Sequence, residues 1–245
     1  FNVAAGGRYR PWQSGPVQLW VGYQIYQGVY FHNSGLDLQE HSPDVQVLFE
    51  GASVDGGVLG RYDYDLLEDT SFLQQGTVLP WVRVREAAIG ATELFYRFRV
   101  RDFLQNYRAV PFNSADHAAG LRQLFPLGAA DRSLWLGYRF ERSDAEHPQG
   151  EPLAYDANQV DVGATTALPW SGTSGSLSYV FEREDFASES GGRHDNVHGV
   201  TFDVRMQVNE QLALTAGYYG TFNDSNSTVF TFDRNIGTVA VEAGF

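Results

Sequence analysis

The sequence predicts an all-β protein: a transmembrane, antiparallel, up-and-down β-barrel with about 13 visible strands, expected to be 14 in the complete protein. Three observations predict it. Apolar and polar residues alternate with period two along the whole chain. No run of roughly 18 apolar residues exists to form a membrane-spanning helix. The connections between alternating segments are by turns short and long, the habit of barrels with tight periplasmic turns and long outer loops.

Taken in order, the segment Phe1–Arg10 reads as a descending strand. Val17, Leu19, Val21, Tyr23 and Ile25 then alternate with Gln18, Trp20, Gly22, Gln24 and Tyr26. The same rule marks strands around Val45, Val47 and Phe49, around Tyr62 and Tyr64, and around Val82 and Val84. Leu94, Tyr96, Phe98 and Val100 alternate with Arg97, Arg99 and Arg101; Leu134, Leu136, Tyr138 and Phe140 alternate with Trp135, Gly137 and Arg139. Further strands carry Val160 and Val162, then Leu177, Tyr179 and Phe181, then Val200, Phe202, Val204 and Met206. The last segment sets Val239, Val241, Ala243 and Phe245 on one face, an apolar stripe closing on an aromatic residue.

Short turns are expected near Trp12–Gly15, Asp55–Gly57, Ala87–Ala91, Gly128–Asp131, Pro169–Gly175 and Asn209–Gln211. Long polar loops are expected near His32–Pro43, Leu66–Gly76, Phe103–Asp116, Ser143–Asp156, Phe186–Asn196 and Asn223–Thr231. Short and long alternate without exception in this reading. Counting back from Phe245 places Phe1 on the outer side, so one ascending strand, and whatever precedes it, is expected upstream of it. The 245 residues then form a single outer-membrane barrel domain.

Composition narrows the chemistry. With no cysteine, there are no disulfides or thiolate sites, and all 17 basic residues are arginine. A net charge of -13 argues against a nucleic-acid partner. Aromatics at 14% supply candidates for interfacial girdles, such as Tyr9, Trp12, Tyr30 and Trp170.

The parity opposite the apolar face collects charge. Arg83, Arg85, Arg97, Arg99 and Arg101 fall on two adjacent strands as a basic, lumen-lining cluster. Glu50, Asp63, Asp65, Glu141, Asp161, Asp203 and Glu242 are the acidic lumen candidates, with Arg61, Arg139, Glu182 and Arg205 beside them. Guanidinium binds carboxylate, phosphate or sulfate in two-point fashion and stays charged. The cluster therefore either guides a charged solute or braces the wall through Arg–carboxylate pairs. Large residues of the same parity, Trp20, Tyr26, Trp81, Phe95 and Trp135, could narrow the lumen.

Other chemistry is weakly signalled. His194 and His198 have the spacing of a helical zinc pair, but in a strand they lie roughly 13 Å apart. Asn223-Asp224-Ser225-Asn226 lacks the spacing of a calcium loop and reads as solvated. No GxSxG motif, phosphate loop or dinucleotide fingerprint occurs. No enzyme activity, metal or cofactor is expected. Glu40, Glu68, Asp69, Asp144, Glu184 and Asp185 read as acidic outer loops, able to share divalent cations with lipopolysaccharide.

The segments Gly220-Thr221-Phe222-Asn223-Asp224-Ser225-Asn226 and Phe232-Asp233-Arg234-Asn235, with terminal Phe245, carry a resemblance. So do Tyr9-Arg10-Pro11-Trp12, Ala119-Gly120-Leu121-Arg122-Gln123 and Leu136-Gly137-Tyr138-Arg139-Phe140. Together they resemble the barrel domain of tetratricopeptide-repeat outer-membrane proteins, a group including surface lipoprotein assembly modifiers and polysaccharide-export porins. That family often ends on an aromatic residue followed by Arg-Phe, where this chain has Ala243-Gly244-Phe245. The resemblance implies a bacterial outer-membrane location and a role in export, translocation or surface assembly of a polymer or protein. It also implies a periplasmic repeat region, contact with outer-membrane lipid and lipopolysaccharide, and insertion by the barrel-assembly machinery. A non-conducting anchor for a surface complex and a general porin are the alternatives.

Overall fold

The computed structural model describes residues 2–28, 37–86, 89–104, 113–128, 132–145, 153–187, 192–209 and 211–243. Thirteen strands follow one another. They are β1 (Asn2–Ser14), β2 (Val17–Gly28), β3 (Leu38–Glu50), β4 (Val54–Leu67), β5 (Thr70–Glu86), β6 (Gly90–Phe103) and β7 (Ser114–Pro126). After them come β8 (Ser133–Ala145), β9 (Tyr155–Ala167), β10 (Thr173–Phe186), β11 (His194–Asn209), β12 (Leu212–Ser225) and β13 (Phe232–Ala243). A 3-10 turn at Thr228–Phe230 precedes the last strand. All 13 strands form one antiparallel sheet in sequence order, β1 through β13. This is the predicted all-β, up-and-down architecture.

The chain divides into two compact units. One comprises Phe1–Val84, Glu93–Ala119 and Glu141–Tyr155; the other comprises Arg85–Thr92, Gly120–Phe140 and Asp156–Phe245.

Several connections differ from expectation. Between β4 and β5 only residues 68–69 intervene, where a loop over Leu66–Gly76 was expected. Glu68 and Asp69 both take left-handed backbone, with φ of 49° and 58°. That conformation at both central residues is the hairpin turn whose twist matches the strands, normally signalled by Asn-Gly. Without glycine there the turn was not legible, and the polar run Gln74-Gln75-Gly76 lies inside β5. The alternation of short and long connections therefore has one exception.

Asp55–Gly57 is not a turn but the start of β4, the turn falling at residues 51–53. A Cβ at Gly57 would meet Val47 O at 2.6 Å and Trp81 Nε1 at 3.2 Å, so this glycine serves packing against a cross-strand tryptophan. The strand β3 already includes Leu38–Pro43, and β10 includes Gly175.

Registers are set by bulges as well as by alternation. Tyr9 pairs with Val21 and Trp12 with Leu19, so Arg10 and Pro11 together oppose Trp20. Pro11 lacks an N–H for the ladder, and a bulge is where a strand tolerates it. The Arg10 guanidinium lies over the Trp20 ring, 5.4 Å from its centroid.

Burial is inverted relative to a protein folded in water. Among the described residues the buried hydrophobic side chains are Ala118, Ala157 and Ala213, all small. The buried polar ones include Asp44, Asp55, Asp63, Asp116, Glu141, Asp161 and Asp195. The exposed apolar residues include many predicted for the outward parity, Val21, Val45, Val47, Tyr62, Leu94, Leu136, Val160, Leu177 and Phe202 among them, while Ile25, Val82, Phe98 and Val100 are only partly exposed. Soluble proteins bury such side chains and seldom bury carboxylates.

Candidate functional site

In the first unit, β6 presents Arg97, Arg99 and Arg101 at alternate positions, so all three share one face. The acids that meet them come from β7 and β8. Asp116, fully shielded from solvent, accepts from Arg99 Nε at 2.7 Å, Arg101 Nη2 at 3.2 Å, Ser143 Oγ at 2.6 Å and Ser114 Oγ at 3.0 Å, while Arg101 Nε donates to Ser114 Oγ at 3.0 Å. Glu141 accepts from Arg97 Nη2 at 2.7 Å, Arg99 Nη2 at 3.2 Å and the Tyr155 hydroxyl at 3.3 Å. Arg99 thus bridges two buried carboxylates. A buried charge is tolerated only when paired and hydrogen-bonded, and both acids meet that condition.

A second cluster in the same unit joins β3, β4 and β5. Arg61 donates to Glu40 Oε1 at 2.7 Å, to Ser42 Oγ at 2.9 Å and to Asp63. Gln75 Nε2 donates to Asp63 Oδ2 at 2.9 Å. Glu40, expected on a solvated loop, is therefore an ion-pair partner inside β3. Asp65 follows on the same strand parity. A cleft of about 370 Å³ is lined by Glu40, Asp63 and Asp65 together with Arg97 and Arg99, so both signs of charge border one space.

Arg83 donates to Glu93 Oε2 through Nε at 3.1 Å and Nη2 at 2.6 Å, and stacks on Trp81 at 5.5 Å. Arg85 lies two residues further along β5. Four members of the predicted basic cluster are thus matched to acids. Of these acids, Glu141 was foreseen as an inward residue, whereas Glu93 and Asp116 were not singled out. The alternation Ser114-Ala115-Asp116-His117-Ala118 is the signal for Asp116, which the structure places in β7 rather than at the end of the expected loop over Phe103–Asp116. Glu50 accepts from Gln18 Nε2 at 2.7 Å.

The second unit repeats the pattern. Arg139 Nη2 donates to Glu182 at 2.7 Å and Arg122 Nη2 to Asp161 at 3.3 Å. Asp203 faces Gly217 across the ladder, and Glu242 faces Ala213. Val239 and Val241 are exposed on β13, and Ala243 ends it; Phe245 lies outside the described residues. His194 and His198 sit in the extended strand β11. Asn223 is also a strand residue rather than a loop residue: its Nδ2 donates to Phe230 O at 2.8 Å and to Asp195 Oδ2 at 3.4 Å.

One device recurs in both units. Arg8, Gly22 and Asp44 lie side by side on β1, β2 and β3, and Asp44 reaches over the glycine to Arg8 at 3.3 Å. Asp161 on β9 likewise passes over Gly137 on β8 to reach Arg122 on β7. A Cβ on either glycine would fall on the aspartate carboxylate. The absent side chain lets an ion pair span three strands.

Each unit thus carries Arg–carboxylate pairs on one face, and in the first unit a cleft of mixed sign lies beside them. It offers ionic and hydrogen-bonding contacts to a polar solute. No protein-family model matches this chain, and no curated protein matches it in sequence.

Proposed function

We propose that this chain is a β-barrel of the bacterial outer membrane. In this reading its polar face encloses a conduit for export, translocation or surface assembly of a polymer or protein cargo. The observation that carries it is the inverted burial: exposed Val, Leu, Phe and Tyr on one face, buried Asp and Glu on the other. An apolar exterior is stable only against lipid, and a bilayer-spanning sheet must pair its edges. Strands of 12 to 17 residues exceed the roughly 9–11 that cross a bilayer when tilted. The mixed-charge cleft and the resemblance to barrels of tetratricopeptide-repeat outer-membrane proteins support export or assembly.

A second reading, a non-conducting anchor, is favoured by the density of ion pairs around Asp116 and by Trp81 and Trp20 stacked under arginines. One preparation tests both. The protein folded in detergent is run unheated and boiled on a gel, then inserted in planar bilayers. Faster migration before boiling and discrete conductance steps support the conduit. The same heat-dependent migration without current supports the anchor. Aqueous solubility with no shift on boiling would sink both.

A further inference from the structure

Six tyrosines occupy the same place in six successive hairpins. Tyr23, Tyr62, Tyr96, Tyr138, Tyr179 and Tyr218 lie on β2, β4, β6, β8, β10 and β12, three in each compact unit. Each is the sixth to ninth residue of its strand, roughly 20 Å of extended chain from the short-connection end. Each is between 39% and 48% exposed on the apolar face.

Every one of these phenols is hydrogen-bonded to a polar side chain on the next strand. Tyr23 meets His41 Nδ1 at 2.5 Å, Tyr96 meets His117 Nδ1 at 2.6 Å and Tyr179 meets His198 Nδ1 at 2.7 Å. Tyr62 donates to Gln74 Oε1 at 3.1 Å, Tyr138 to Asn158 Oδ1 at 2.7 Å and Tyr218 to Asn235 Oδ1 at 2.5 Å. The printed registers show one geometry: the partner sits opposite the residue two beyond the tyrosine, as in Ile25↔His41, Tyr64↔Gln74, Phe181↔His198 and Gly220↔Asn235.

The pairing fixes what remains available. With the phenol as donor, Nδ1 accepts and the ring proton sits on Nε2. No described residue accepts from Nε2 of His41, His117 or His198, nor from Nδ2 of Asn158 or Asn235. These five side chains therefore keep an N–H for an outside acceptor. Gln74 spends its amide on Asp102 at 2.8 Å.

The pairs also mark a change of surface. On β8 the outward parity runs Leu134, Leu136, Tyr138 and Phe140, then Arg142 and Asp144; on β10 it runs Leu177, Tyr179 and Phe181, then Arg183 and Asp185. On the descending strands Asp156 precedes Asn158 and Val160, and Asp233 precedes Asn235, Gly237 and Val239. Arg142 and Arg183 are more than half exposed, each on an aspartate two residues ahead. Along β8–β11 the donors thus stand near the rim of the apolar face, level with Phe140 and Phe181, with guanidiniums about 7 Å further along the strand.

We propose that these side chains form a binding belt for lipids with anionic, phosphate-bearing headgroups at the long-loop end of the membrane-spanning sheet. The inference rests on the barrel reading given above. Acyl chains lie on the valine and leucine face and the phosphate oxygens accept from the imidazole and amide N–H groups; Arg142 and Arg183 stand beyond them as ion pairs with Asp144 and Asp185. The tyrosines position the donors and give their own hydroxyls a partner at a depth where water is scarce.

The test is native mass spectrometry of the folded protein from micelles doped with equal amounts of phosphatidylglycerol and phosphatidylcholine. Wild-type protein should retain phosphatidylglycerol in several-fold preference. The triple variant His41→Phe/His117→Phe/His198→Phe keeps aromatic packing and removes three donors, and Arg142→Gln/Arg183→Gln removes the guanidiniums. Each should lower the preference, and the combined variant, which keeps the Asn158 and Asn235 donors, should lower it furthest. Equal retention by the wild type, or an unchanged preference in the combined variant, overturns the belt. Heat-modifiable migration of every sample is checked first, so a failed belt on an intact barrel is distinct from a failed barrel.

Discussion

Arg99 Nε lies 2.7 Å from Asp116 Oδ2, and the carboxylate has no exposure to solvent. The two residues come from adjacent strands, and Ser114 and Ser143 fill further acceptor positions on the same carboxylate. Removing one partner of such a pair strands the other charge. Asp116→Ala is expected to cost about 3–5 kcal/mol, the range for breaking a buried ion pair. Urea unfolding from lipid vesicles, followed by tryptophan fluorescence, measures it. Ser143→Ala should cost only about 1 kcal/mol, one hydrogen bond among several.

The glycine under Asp44 makes a sharper comparison. Gly22→Ala places a methyl group on the carboxylate that reaches Arg8, and a loss of about 1–3 kcal/mol is expected from the forced shift. Gly76→Ala meets nothing within 4 Å and should be close to neutral. Because the clash is with Asp44, the Gly22→Ala cost should shrink in an Asp44→Ala background. A double-mutant cycle reads that coupling directly.

Val47 separates lipid from water as the surroundings of the exposed face. It is 45% exposed and its cross-strand neighbours are Leu19 and Val58. Val47→Arg should destabilise the folded, bilayer-inserted protein by roughly 2–4 kcal/mol if the site lies near the midplane. A surface position in water would change by less than about 0.5 kcal/mol. Vesicle unfolding titrations of the two proteins distinguish the cases.

The β4–β5 turn is open to improvement. Asp69 holds a φ of 58°, which glycine adopts without a Cβ penalty. Asp69→Gly should stabilise the hairpin by about 0.5–1 kcal/mol, since the strain it relieves exceeds the entropy glycine adds to the unfolded chain. A higher urea midpoint with an unchanged slope is the expected result.

Much of the fold was legible because strand periodicity is local. A residue's face depends only on whether its neighbours alternate, so the outward set from Val21 to Phe202 could be read off directly. The connections were legible where glycine or a polar run marked them, as at Gly15. They were misread where the marker had another use: Gly57 makes room for Trp81, and Glu68-Asp69 turns the chain without glycine. The candidate site was legible in kind but not in pairing. Arg97, Arg99 and Arg101 announced a basic face, yet Glu141 meets Arg97 from 44 residues away and Asp116 was hidden at a strand start.

The sequence by itself determined an all-β meander with one apolar and one charged face, because a period of two is written residue by residue. Only the tertiary structure decided which charge meets which, and that the six tyrosines share one geometry. Sliding a strand by two residues keeps every side chain on its face while changing all its partners. Register is fixed by turns, bulges such as Arg10-Pro11, and glycines that let a side chain pass over a strand. Those are long-range fits between segments that no local pattern encodes.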